Sequence, residues 1–155
     1  MTERPGAPTA TVIVVGIDGS DTSWDAFYWA CGETRRTSGR AIAVFVSPVV
    51  ATGAAAASAR CSPYAIDCQA FEDVVLAQAE QLGGQAATYA ADHQVRLTFV
   101  HRRGNTAKEL LHIADADHAD LIVVGKSAKA RHQLAGSLGR RLIRKREAPI
   151  VVIVP

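Results

Sequence analysis

The chain has 155 residues, with 48% hydrophobic and 6% aromatic side chains, 17 Lys+Arg against 15 Asp+Glu, and a formal net charge of +2. That is one domain's length, and a chain of this size buries roughly 68–70% of its unfolded surface, so no staple is required for folding. No apolar run reaches the roughly 18 residues of a membrane span, and MTERPGAPTA carries no hydrophobic signal core, so a cytoplasmic protein is expected.

Residues 1–10 read as a disordered lead-in, with the folded domain over 11–155. Thr11–Ile17, TVIVVGI, is a β-branched run closed by Asp18-Gly19, which predicts a buried parallel strand. Thr22 with Asp25 three residues on has the form of a helix cap with an acid at N3. The helix is expected to run to about Thr37, with Trp24, Phe27, Ala30, Cys31 and Thr34 at helical spacing. Ala41–Val49 is a second strand, ended at Pro48, which cannot pair inside a central strand. Val50–Ser62 is rich in small residues and lacks an apolar face, so it is expected to be a loop.

Asp67–His93 carries Phe71, Val75, Leu82, Ala86 and Tyr89 at helical spacing, but Gly83-Gly84 falls inside it. Two interior glycines cost roughly 1–2 kcal/mol against alanine, which predicts a kink or break. Val95–Arg102 is a polar strand suited to a sheet edge. Gly104-Asn105 forms a turn, Thr106 with Glu109 has the form of a capping box, and Ala107, Leu110, Leu111 and Ala114 make the apolar stripe of a third helix. Asp120–Val124 is the fourth strand, Gly136–Arg146 a fourth helix with Leu138, Leu142 and Ile143 inward, and Pro149–Val154 the last strand.

Alternating strands and helices predict a three-layer α/β/α, Rossmann-like fold with a parallel sheet. Right-handed crossovers give a five-stranded order 3-2-1-4-5, with a ligand crevice between strands one and four at their carboxyl ends. Asp18 and Gly125 end those two strands.

The obvious catalytic motifs do not fit. Gly125-Lys126-Ser127 lacks the earlier glycine of a P-loop, because that position is Asp120. Ala135-Gly136-Ser137-Leu138-Gly139 resembles a nucleophile elbow, but KARHQL before it is no strand. The histidines 93, 101, 112, 118 and 132 have no metal-binding spacing, and Cys31, Cys61 and Cys68 form neither a disulfide framework nor a zinc set. No nucleophile–base pair and no paired carboxylates stand out, so metabolic catalysis is not expected, and weak ATP hydrolysis is the one enzymatic alternative.

Residues 101–155 hold eleven Lys/Arg against five Asp/Glu, a balance of +6, while the first hundred hold six against ten, a balance of −4. A basic half suits either an anionic ligand or a solvated helix face. Nucleic acid is not the expected partner, since the basic helix comes with no aromatic platform.

Four stretches together, VVGIDGSDTSWDAFYWA, HRRGNTAKELL, HADLIVVGKSA and LAGSLGRRLIRKREAPIVVIVP, resemble the universal stress protein family over nearly the whole chain. The resemblance implies a small stress-response protein, regulatory or protective, that binds a nucleotide or other phosphate ligand in the crevice. The alternative is a dimeric interaction module that has lost nucleotide binding. ATP-binding members share a G-x2-G-x9-G-[ST] loop. By position, the resemblance puts adenosine near Asp18 and the main chain of Val46, and phosphates near Gly125, Lys126 and Gly136-Ser137, with Mg²⁺ only alongside a nucleotide.

The loop departs from that pattern. Ala128 stands where the second glycine belongs, and seven residues, not nine, separate it from Gly136; nine would put Leu138 at the glycine position. Glycine in such loops allows positive φ or close backbone approach, which a Cβ obstructs. Lys126, Lys129, Arg131, His132, Arg140 and Arg141 add charge that can hold phosphate in place of backbone amides. The family also implies a homodimer through Ile150–Val154, which would cover an apolar sheet edge.

Overall fold

In the computed structural model, residues 10–49, 68–126, 141–142 and 149–155 are described. The strands are β1 (Val12–Gly16), β2 (Arg40–Ser47), β3 (Leu97–Arg103), β4 (Leu121–Gly125) and β5 (Ile150–Val154). The helices are α1 (Asp21–Arg36), α2 (Cys68–Asp92) and α3 (Thr106–Ala116), and residues 141–142 are also helical. All pairings are parallel, in the order β3-β2-β1-β4-β5, as the alternation predicts.

The central strands are continuous apolar runs because both faces of the sheet are covered. Successive side chains alternate between those faces. Ile13, Val15, Ala41, Ala43, Phe45 and Val123 pack under α1 and α2, while Val14, Ile42, Val44, Ile122 and Val124 pack under α3 and Leu142. In α2, Val75, Ala79, Leu82, Ala86 and Ala90 recur every three or four residues and are buried.

The helix starts differ from those expected. α1 begins two residues earlier: its N-cap is Ser20, not Thr22, and the Ser20 hydroxyl accepts from the Ser23 amide. α3 is capped by Asn105, whose side chain accepts from the Lys108 amide, not by Thr106. Both chosen residues precede the expected cap in extended conformation, which lets a short polar side chain fold back on the first free amides. In α3, Ile113 is buried with Ala107, Leu110 and Ala114, whereas Leu111 is half-buried.

α2 runs unbroken through Gly83-Gly84. A Cβ at Gly83 would lie 2.9 Å from the Phe99 ring, so this glycine lets α2 seat closely on β3. The packing of the buried stripe outweighs the propensity cost. The lead-in up to residue 9, the loop Val50–Ser62 and most of the helix expected over Gly136–Arg146 lie outside the described residues. Among the described residues, no helix is long and apolar enough to cross a membrane.

Candidate functional site

The strand order reverses between β1 and β4, and the chain leaves those strands in opposite directions. The gap left at their carboxyl ends is a cavity of about 310 Å³. Its floor is apolar: Ile17, Val44, Val46, Leu110 and Val124. Its rim is polar: Asp18, Ser20 and Thr22 on one side, Asn105 and Thr106 at the start of α3, and Arg141.

Asp18 sits in a self-contained turn. Its Oδ1 accepts from the Ser20 amide at 3.0 Å and from the Ser20 hydroxyl at 2.6 Å. Gly19 takes a φ of +87°, a conformation that glycine adopts without the Cβ penalty. Burial works against the charge on Asp18, but the bonds from Ser20 and Ser23 outweigh it and hold the carboxyl below the usual aspartate value. Oδ2 accepts no hydrogen bond from a described residue. The site therefore offers a fixed carboxylate with one oxygen available to a donor such as a hydroxyl or an amine.

Val46 contributes main chain. The Val44 carbonyl accepts from the Ile17 amide at 2.9 Å, the last bond β2 takes from the β1 side. Two residues on, Val46 presents its backbone to the same side, by the period-two geometry of a strand. There β1 has already turned away into Asp18, so Val46, which pairs with Arg102 of β3, meets no described strand on its β1 side and lines the crevice.

Gly125 lines the cavity, but its lack of a side chain answers to packing. A Cβ there would sit 2.2 Å from the Thr22 carbonyl oxygen and 2.8 Å from the Ser23 amide nitrogen. The end of β4 runs directly beneath the first turn of α1. Lys126 follows with its side chain exposed, and its amide donates to the Val154 carbonyl at 2.8 Å. Of the expected site residues, Asp18, Val46 and Gly125 meet at one cavity, and Lys126 adjoins it. Ala128, Gly136, Ser137 and Leu138 lie outside the described residues.

Sequence reasoning did not single out Ser20, Thr22, Asn105 and Thr106 as lining residues. Ser20 and Thr22 follow the carboxyl end of β1, which borders the crevice, whereas Asn105 and Thr106 follow β3, two strands from β1, and reach the cavity at the start of α3. Arg141, expected among the basic side chains that could hold phosphate, does line the cavity.

One nucleophile–base pair does exist, contrary to expectation. The Ser47 hydroxyl lies 2.9 Å from Nε2 of His101, whose ring stacks on Phe45. Burial, with help from Arg103, pulls His101 below the usual histidine value. Ser47 is only 1% exposed and is not among the described residues that line the cavity. Cys31 is buried too, and burial pushes its thiol up to about 11, which removes the reactive thiolate at neutral pH. Among the described residues, no group of His, Cys, Asp and Glu could hold a metal ion.

A parallel sheet ordered 3-2-1-4-5, with a cavity at its switch point, defines a Rossmann-like α/β protein. A family model described as the universal stress protein family matches residues 10–154, and the chain belongs to that family. Among curated proteins, no sequence matches. Solved structures share the fold. Universal stress protein UspA from Lactobacillus plantarum is 21% identical, with 94% of this chain and 98% of that one covered and a TM-score of 0.76. A universal stress protein in complex with cAMP is 21% identical, with 95% and 99% covered and a TM-score of 0.67. The universal stress protein from Archaeoglobus fulgidus in complex with dAMP is 18% identical, with 96% and 100% covered and a TM-score of 0.63.

Proposed function

We propose that this universal stress protein binds an adenine nucleotide in the β1–β4 crevice and acts as a cytoplasmic regulator, not a metabolic catalyst. The observation that carries the reading is the pairing of Asp18 and Arg141 across one cavity of about 310 Å³. That volume lies at the lower end of the roughly 300–1,000 Å³ typical of ligand pockets. The available oxygen of Asp18 suits ribose hydroxyls or the adenine amine, and the free main chain of Val46 suits the base. Arg141 supplies charge for a phosphate beside Gly125, and the family pattern assigns Lys126, Gly136 and Ser137 to the same phosphates. ATP, with Mg²⁺ on its phosphates, is the larger candidate ligand, and a monophosphate the smaller. Related structures that hold cAMP and dAMP support the class of ligand.

Thermal denaturation tests this. A ligand at a hundred times its Kd adds about 2.7 kcal/mol, and each kcal/mol moves Tm by roughly 2–4 °C at this size. Saturating AMP, cAMP, ADP or ATP is expected to raise Tm by about 5–10 °C, and Arg141→Ala to remove most of the shift. No shift with any of the four, with or without Mg²⁺, overturns nucleotide binding and leaves the dimeric interaction module.

We further propose a homodimer through β5. It is an edge strand, and its outward Ile150 and Ile153 are 69% and 46% exposed. An apolar edge with unpaired backbone groups is stabilised by pairing with a second copy. Replacing both isoleucines, Ile150→Lys with Ile153→Glu, is expected to halve the mass measured by light scattering. A monomeric wild-type chain would remove the proposal.

A further inference from the structure

A second concave surface shares no lining residue with the crevice. It is a shallow groove of about 670 Å³ on the outer side of the α1–α2 layer. Aromatic rings run along it. Trp24 and Tyr28, one turn apart on α1, are stacked with centroids 6.0 Å apart. Tyr28 meets Tyr89 of α2 at 4.8 Å. Tyr89 continues the row by stacking on His93 at 3.9 Å. Tyr28 is 44% exposed, although a ring of that size is ordinarily better covered when its role is packing alone.

The groove is also acidic. Glu80 and Asp92 line it, no Lys or Arg is among its described lining residues, and neither carboxylate forms an ion pair with a described residue. Arg35 lies close enough to act on the Tyr89 hydroxyl but is not part of the lining. Tyr89 is partly covered by Tyr28 and His93, so Tyr28 is the more exposed of the two rings, and an exposed ring beside carboxylates attracts a cation twice, through the ring quadrupole and through charge.

Gly84 gives an independent sign. A glycine inside a helix costs about 1 kcal/mol relative to alanine. Its neighbour Gly83 has a packing reason in Phe99, but a Cβ at Gly84 would meet nothing within 4 Å. Gly84 is part of the groove lining, so what it leaves open there is space against the helix backbone.

We propose that this groove docks a basic segment of a partner protein, with an arginine guanidinium against the exposed Tyr28 ring and paired to Asp92, and a second basic residue near Glu80. Arginine suits the place better than lysine because its planar head stacks on rings while its donors reach a carboxylate in fork geometry. A basic segment, not an acidic or apolar one, follows from the charge of the lining.

The test uses the full chain and two acetylated, amidated seven-residue peptides at 0.15 M salt. One alternates arginine with glycine; the other replaces each arginine by citrulline, which keeps the shape and removes the charge. Calorimetric titration is expected to give binding of the arginine peptide at least tenfold tighter than the citrulline peptide. Tyr28→Ala and the double variant Glu80→Gln, Asp92→Asn are each expected to weaken it at least fivefold. Gly84→Gln is expected to weaken binding while holding or raising Tm, because a side chain there fills the groove and removes the helix penalty. That combination separates a docking role from a structural one. Equal binding of the two peptides overturns the proposal. So does unchanged affinity in the Tyr28→Ala and carboxylate variants, absence of binding at millimolar peptide, or self-association of the wild-type chain that Tyr28→Ala abolishes, which would make a second copy the occupant.

Discussion

The β1–α1 wall of the crevice and the β4 wall differ in how their residues are held. On the first, Asp18, Ser20 and Ser23 satisfy one another within six residues of chain. On the second, Gly125 depends on Thr22 and Ser23, which reach it only because β4 lies beneath α1. A self-contained turn survives small changes around it, whereas a backbone-to-backbone approach has no slack. The comparison also changes what Gly125 signifies. It resembles the first glycine of a phosphate loop, yet its place is explained by packing without any ligand, so it is no evidence for a nucleotide. Asp18, Val46 and Arg141 bear that weight instead.

The largest effect is expected on the β4 wall. Gly125→Ala drives a Cβ into the Thr22 carbonyl, against backbone that cannot rotate away. Overpacking of this kind typically costs 1–3 kcal/mol, and here about 2–3 kcal/mol is expected, a fall in Tm of roughly 4–12 °C. A thermal melt unchanged from wild type would mean that β4 and α1 do not approach as described.

Smaller effects are expected on the Asp18 wall. Ser20→Ala removes the cap of α1 and costs about 1 kcal/mol. Asp18→Asn has a weaker and pH-dependent effect. The folded-state value of Asp18 lies below its unfolded value of 3.8, so the ionised form stabilises the fold. That contribution is complete above 3.8 and is lost as the pH falls through the lower folded value. Urea denaturation is therefore expected to show a stability gap between wild type and Asp18→Asn at neutral pH that closes on acidification. A gap that persists at the acid end would show that the asparagine acts through shape and not charge.

The sheet edges repeat the contrast between polar and apolar construction. β3 carries His101, Arg102 and Arg103 at its end, and Arg103 is tied to Glu72 of α2. Charge and a covering helix blunt that edge. β5 has only short apolar side chains and two exposed isoleucines, which is why pairing is proposed there and not at β3.

The sequence by itself determined the order of elements, the parallel sheet and the switch point. Those follow from hydrophobic periodicity, which is local, and from the handedness of crossovers, which leaves few topologies. It also placed Asp18 and Gly125 at one crevice, because carboxyl ends of neighbouring strands must meet, while Val46 came from the family resemblance. Tertiary structure decided the rest. Ser20 and Asn105, not Thr22 and Thr106, cap their helices, since the point where each chain leaves its strand sets the first free amide. Gly83-Gly84 does not break α2, because close seating on Phe99 and a buried stripe outweigh two unfavourable propensities. The buried Ser47–His101 pair, the packing role of Gly125, the arrival of Arg141 and the row of rings from Trp24 to His93 join residues far apart in the chain. No pattern along one dimension encodes them; they appear only when helices are laid on the sheet.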